Sequence, residues 1–143
     1  MALHPSESPG FLLWHATLRW QRAIAAALAP FELTHVQFVL LTSVWWLGSQ
    51  STRPNQLAVA AHAGTDVKMT SQVLRTLERN GLVRRETDPT DSRAKLVSVT
   101  NRGAELASRA VAAVERVDAE FFRPVPTGEA LRLLRSLRGG DEN

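Results

Sequence analysis

From Asp66 to Asn80 aliphatic residues recur at helical spacing, the run stops at Gly81, and two short β-prone segments come directly after it. At about 100° per residue, Thr70, Val73, Leu74 and Leu77 share one side of a helix, while Lys68, Gln72, Arg75 and Arg79 share the other, with Ser71 at its edge. Gly81 suits the left-handed position that closes a helix. Such a helix buries a stripe on one side and shows cations and an amide on the other. Cations can neutralise phosphates, and Arg and Gln can also read base edges in a major groove. A merely solvated face has the same composition. The segment after Gly81 decides between the two.

Leu82 to Thr87 and Lys95 to Thr100 are both strand-like, joined by the turn-rich link Asp88-Pro89-Thr90-Asp91-Ser92-Arg93-Ala94. In the second segment Leu96 and Ser98 alternate with Val97 and Val99, and Lys95 stands at the mouth. A hairpin of this kind packs one face on helices and leaves a polar tip in solvent. Asp88 and Asp91 stand near enough in sequence to pair with Arg93, and a surface hairpin with local ion pairs explains the aspartates as well as a binding tip does. Arg93 itself is assigned to nucleic-acid contact, with Lys95 beside it. Upstream, Asn55 to Ala63 makes a short helix with Leu57 and Ala61 inward, and Gly64-Thr65 makes a turn that offers Thr65 or Asp66 as the next cap. Helix, turn, second helix and charged hairpin over residues 53–100 have the layout of a winged helix-turn-helix.

The run Asp88-Pro-Thr-Asp91-Ser-Arg93 resembles the D-P-x-D-x-R wing of the MarR family of bacterial transcription regulators. Leu77-Glu-Arg-Asn-Gly81-Leu-Val is similar to that family's helix exit, and Val99-Thr100-Asn-Arg-Gly103 to the segment by which its wing enters the next long helix. The resemblance extends from about Phe11 to Leu137, although the ends match only in helical pattern. It implies a dimeric winged-helix protein that binds DNA, often a repressor released by a small ligand or by oxidation.

Charge is distributed as such a protein needs. Of the formal net charge of +3, all falls between Arg53 and Lys95, where Arg53, Lys68, Arg75, Arg79, Arg84, Arg85, Arg93 and Lys95 face Asp66, Glu78, Glu86, Asp88 and Asp91; the remainder balances. The absence of cysteine excludes disulfides, thiolate metal sites and control through a reactive thiol. His4, His15, His35 and His62 lie far apart with no carboxylate at a metal-ligand spacing, so neither a metal nor another cofactor is expected. No phosphate loop, nucleophile elbow or paired carboxylates point to an enzyme. Neither a signal segment nor a stretch of membrane-spanning length is apparent, which leads to the expectation of a cytoplasmic protein without a membrane partner.

The remaining segments are helical, giving a mainly α chain of 143 residues read as one domain, 1–143. Ser8 and Pro9 start a helix from Phe11 to about Ala29, with Phe11, Trp14, Leu18, Ala25 and Leu28 as its stripe. Thr34 to Gln37 has the capping-box pattern before a nearly all-apolar helix running to Leu47. A long helix begins near Thr100, Pro124-Val-Pro126 breaks it, and Thr127 caps a last helix carrying Leu131, Leu134 and Leu137. Stripes on helices 8–33 and 101–138 flank a unit that is already a small fold. A second copy of the chain is the simplest cover; the alternative is that they close over their own chain. Trp14 and His15 on the first helix, with Trp45 and Trp46 on the second, could line a pocket for an aromatic or amphipathic effector, against the plainer reading of aromatic core and interface.

Taken together, the sequence predicts a homodimeric regulator of transcription, most simply a repressor, bound to a pseudo-palindromic site on double-stranded DNA. Lys68, Ser71, Gln72 and Arg75 enter the major groove in this reading. Arg93 reaches the neighbouring minor groove or its phosphates, and Arg79, Arg85 and Lys95 contact the backbone. The competing reading is a winged-helix protein–protein interaction module, kept open by Asp66, Glu78 and Asp91.

Overall fold

A computed structural model describes residues 3–139. After a 3-10 turn at Pro5–Glu7 come α1 (Pro9–Leu28), a second 3-10 turn (Ala29–Phe31), α2 (His35–Gly48), α3 (Gln56–Ala63), α4 (Val67–Arg79), β1 (Val83–Asp88), β2 (Asp91–Val99), α5 (Asn101–Phe122) and α6 (Thr127–Arg138). Gly139, just past α6, is the last described residue.

Helices α1 to α5 each start where a side-chain cap dictates. Ser8 accepts from Phe11 N, and Pro9 supplies the fixed φ of a first helical residue. Thr34 and Gln37 form a reciprocal capping box at α2. Asn55, Asp66 and Thr100 accept from Ala58 N, Met69 N and Gly103 N at the heads of α3, α4 and α5. Of the two candidates before α4, Asp66 is the cap; Thr65 instead hydrogen-bonds the buried Thr70 hydroxyl at 2.7 Å. Thr127 does not cap α6 but is its first residue, after Pro126.

The core is drawn from every layer: Ile24 and Leu28 of α1, Leu40, Leu41 and Val44 of α2, Val59 of α3, Leu74 and Leu77 of α4, and Val97 of β2 are fully buried. Dense aliphatic contact on several sides makes α2 the central strut. On α3 the inward residues are Val59 and Ala60, while Leu57 is exposed and Ala61 faces solvent, contrary to the sequence reading. Five of the eight residues of that helix are apolar alanine or leucine, so periodicity could not orient it. α5 meets the core through Gly103, Ala107 and Ala110, small residues that allow close approach, and then through Val114. A Cβ on Gly103 would lie 1.9 Å from the Leu82 carbonyl oxygen, so only glycine lets α5 leave the sheet this closely.

The wing is longer than the sequence suggested. β1 and β2 pair antiparallel from Val83↔Val99 to Thr87↔Lys95, then the register shifts to Asp88↔Asp91. Most of the link read as loop is thus strand, with the turn confined to Pro89 and Thr90, and Ser92, Arg93 and Ala94 form the extra length of a bulge. Pro54 and Asn55 border the other edge of β2, through a 2.9 Å bond from Val97 N to Pro54 O and a bridge from Asn55 to Leu96.

α6 stands apart. It buries only Ala130, whereas Leu131, Leu133, Leu134 and Leu137 are exposed, as are Phe11, Leu12, Leu13 and Trp14 at the start of α1. Among the described residues no single helix is long and apolar enough to cross a membrane.

Candidate nucleic-acid interface

α4 is oriented by what it buries. Thr70, Leu74 and Leu77 go to the core, which sends Lys68, Gln72, Arg75 and Arg79 outward into solvent and leaves Ser71 at the half-buried flank. Arg79 Nη2 rests on the Thr76 hydroxyl at 3.0 Å, and the other three outward groups carry the open face. Asp66 sits at the head of the same helix, its carboxylate held at 2.7 Å by Met69 N. It is there as a cap.

The wing tip is built by its two aspartates, though not through ion pairs with Arg93. Asp88 accepts from the backbone N and the hydroxyl of Thr90 at 2.9 and 2.8 Å, and these bonds hold its carboxyl below the usual range. Asp91 accepts from the backbone N of Arg93 at 3.0 Å. Among the described residues neither aspartate pairs with the Arg93 guanidinium, which the bulge presents to solvent. The short carboxylates reach backbone N–H groups two residues on more readily than a long, mobile side chain, and so they shape the turn. Lys95 is exposed, with Nζ 3.0 Å from the Thr87 hydroxyl across the strands.

Arg85 lies differently from the other cations. Expected to contact the DNA backbone, it turns inward and is half-buried. Nε and Nη2 donate to Glu78 Oε1 at 3.3 and 3.2 Å, and Nη1 donates to Gln56 Oε1 at 3.1 Å. All its guanidinium nitrogens are thus engaged inside the protein. Arg53 is likewise paired, 2.7 Å from Glu86, and that bond with the attached charge lowers the Glu86 pKa.

Between the wing and the helices lies a hollow of about 250 Å³ walled by Leu57 and Val67 on one side and by Arg93 and Lys95 on the other. Both apolar residues are more than half exposed. The sequence reading missed them as surface groups: Leu57 was oriented inward, and Val67 precedes the stripe that defined the helix.

The aromatic groups are not gathered as expected. α1 with its following turn meets α2 at 71°, so the end bearing Trp14 and His15 diverges from the end bearing Trp45 and Trp46. Trp14 and Trp46 are exposed, Trp45 packs on the core, and His15 sits edge-on to Phe11 at 4.5 Å. A hollow of about 960 Å³ lies instead between α1, α5 and α6, with Trp20, Asp118 and Phe122 on one side and Leu131 and Leu134 on the other. Trp20 Nε1 donates to Asp118 at 2.8 Å, and His35 meets the indole edge-on at 5.1 Å. Burial lowers the His35 pKa, with the Asp118 charge opposing.

Known proteins are similar to this chain in both sequence and architecture. The model of the MarR family matches residues 33–95, from the residue before the α2 capping box to Lys95 in the second strand of the wing. The uncharacterized HTH-type transcriptional regulator YdcH of Bacillus subtilis (strain 168) is 46% identical over 118 residues, 82% of this chain and 80% of that protein. The transcriptional repressor CouR, solved on a 23-mer DNA duplex, superposes with a TM-score of 0.80 at 26% identity, covering 96% of this chain and 97% of CouR. BpsR of Bordetella bronchiseptica superposes with a TM-score of 0.85 at 25% identity, covering 99% of this chain and all of BpsR. With the capped α4, the bulged wing and these likenesses in sequence and fold, the chain belongs to the MarR family of transcription regulators.

Proposed function

We propose that this regulator is a homodimeric repressor that reads a pseudo-palindromic DNA duplex with α4 in the major groove. The observation that carries the reading is the outward face of α4, where Lys68, Gln72 and Arg75 lie open to solvent, together with Arg93, exposed on the wing. Gln72 and Arg75 can make paired hydrogen bonds to base edges, while Lys68 and Ser71 meet phosphate or base at the head of the helix. Arg93 follows the strand into the minor groove, and Arg79 and Lys95 neutralise phosphates. Arg85 drops out of the contact set. CouR, of the same fold, was solved on DNA, which supports this placement.

Dimerisation is supported by the apolar groups left uncovered at the start of α1 and along α6. A second copy related by a two-fold axis covers both and sets two reading helices about 34 Å apart, one duplex turn. The hollow beside Trp20 and Asp118 is the place we assign to a small aromatic or amphipathic effector. CouR from Rhodococcus jostii RHA1 was solved with p-coumaroyl-CoA, and the BpsR structure concerns regulation of DNA binding by 6-hydroxynicotinic acid. The acidic residues that favoured an interaction module have local tasks instead: Asp66 caps α4, Glu78 holds Arg85, and Asp91 holds the wing turn. No turnover is assigned to the protein, and its place of action is the cytoplasm, where DNA is.

Selection of bound duplexes from a random pool tests the proposal. The expected product is an inverted repeat with half-sites one turn apart. A pool that fails to converge, or converges on a single unrepeated half-site, overturns it.

A further inference from the structure

We propose that Arg85 and Glu78 are positioning residues that fix the angle between the wing and α4, and so determine which base pairs the wing reaches. The inference rests on the DNA-binding reading above. Its basis is one compact network joining three elements. Glu78 of α4 accepts from the Arg85 backbone N–H through Oε2 at 3.0 Å and from the Arg85 side chain through Oε1 at 3.2 and 3.3 Å, while Gln56 of α3 takes the remaining arm at 3.1 Å. The Arg85 side chain is only 15% exposed, so its guanidinium is largely withdrawn from solvent, while Glu78, at 39%, keeps part of its carboxylate in water.

Geometry makes the joint matter at a distance. From Arg85 to the turn at Thr90 the strand projects about 17 Å at ~3.3 Å per residue. A rotation of roughly 10° at the base carries the tip about 3 Å, beyond the tolerance of a hydrogen bond. A lysine at position 85 cannot replace the joint, since one ammonium cannot engage Glu78 and Gln56 in the forked geometry that a guanidinium provides.

The sign of the Glu78 effect separates this role from the alternatives. A carboxylate on a DNA-reading helix repels phosphate, so removing its charge strengthens binding if Glu78 is a bystander or merely restrains Arg85 from a phosphate. If Glu78 holds the wing, removing its charge weakens binding.

The test uses the full-length protein and the duplex selected above, with Glu78→Gln, Arg85→Lys and the double variant, each checked by thermal melting. Expected are affinity losses of about tenfold for either single change, comparable to losing one arginine contact to a base. The double variant is expected to lose no more than either single one. Hydroxyl-radical footprints should lose protection at the wing-flanked positions and retain it over the α4 half-site. A Glu78→Gln protein that binds as tightly as the parent or tighter overturns the inference while leaving DNA binding intact. So does a footprint that fades uniformly with a lowered melting temperature. Failure of the parent protein to enrich any duplex removes the DNA reading, and this inference with it.

Discussion

Gly103→Ala adds one methyl group at the point where α5 crosses the corner between α4 and β1. The new Cβ would stand 1.9 Å from the Leu82 carbonyl oxygen and 2.8 Å from its carbon. A carbon and a carbonyl oxygen in favourable contact are about 3.3–3.6 Å apart. The helix must therefore lift by roughly 1.4 Å, because the obstacle is backbone and cannot rotate away. That carbonyl is also pinned by Thr100 N at 3.0 Å, while the Thr100 hydroxyl donates to Gly81 O at 2.7 Å. Overpacking of this kind costs about 3 kcal/mol, the upper end for an added methylene. Alanine recovers about 1 kcal/mol over glycine inside a helix. The net loss is about 2 kcal/mol, which corresponds to a fall of about 4–8 °C in Tm for a domain of this size. Melting curves at equal protomer concentration measure it. Gly128→Ala is the control, since nothing lies within 4 Å of its added Cβ, and its Tm should hold or rise. A Gly103→Ala protein that melts at or above the parent temperature refutes the close-approach argument.

Arg75→Ala should relax preference at one base position of each half-site by about 1–3 kcal/mol, whereas Lys95→Ala should weaken all duplexes equally and lower the log–log salt slope by about 0.9; uniform weakening by the first, or an unchanged slope for the second, removes that residue from its assigned role. Deleting Thr127 to Asn143 should leave a folded monomer, because within its own protomer α6 buries only Ala130. Each lost leucine withholds up to roughly 1.5–3 kcal/mol from the dimer, and sedimentation showing an intact dimer with full affinity would contradict this. His35 titrates in the folded chain below its ordinary 6.5, chiefly through burial, so the unfolded chain takes up the proton first. Stability should be full above about pH 6.5 and decline as the pH falls through the interval between the two pKa values. His35→Gln should flatten that decline in denaturant titrations from about pH 7.5 to pH 5; an unaltered slope would disconnect it from His35.

What the sequence revealed, and what it concealed, reflect the range of the forces involved. The α4 stripe, the α2 capping box and the glycine at position 81 are local, set by residues three or four apart, and each falls where periodicity and cap chemistry put it. The wing strands were found but cut short, because Asp88-Pro89-Thr90-Asp91 reads as a loop and nothing local announces a register shift. The inward turn of Arg85 was not legible for a different reason. Whether an arginine on a strand turns inward depends on the partner that meets it, and Glu78 and Gln56 come from two other elements. The separation of Trp14 from Trp45 and Trp46 was hidden because adjacency on two helices says nothing about the angle between their axes. Trp20, which does donate a hydrogen bond to a polar partner, finds it 98 residues away, on Asp118.

The wing also bears on how the protein avoids sticking to itself. A two-stranded ribbon ordinarily offers two rows of unpaired backbone groups on which a neighbouring chain can add a strand. Here the Glu78 carboxylate occupies the outer N–H of Arg85 on β1, and Pro54 occupies that of Val97 on β2. At the level of Arg85 and Val97 the ribbon is stoppered on both sides. Farther out, the alternate register carries the strands into a kinked, charged tip, a poor template for a flat intruding strand. A hairpin that must project from the body to do its work can therefore do so at high local concentration without seeding intermolecular sheets.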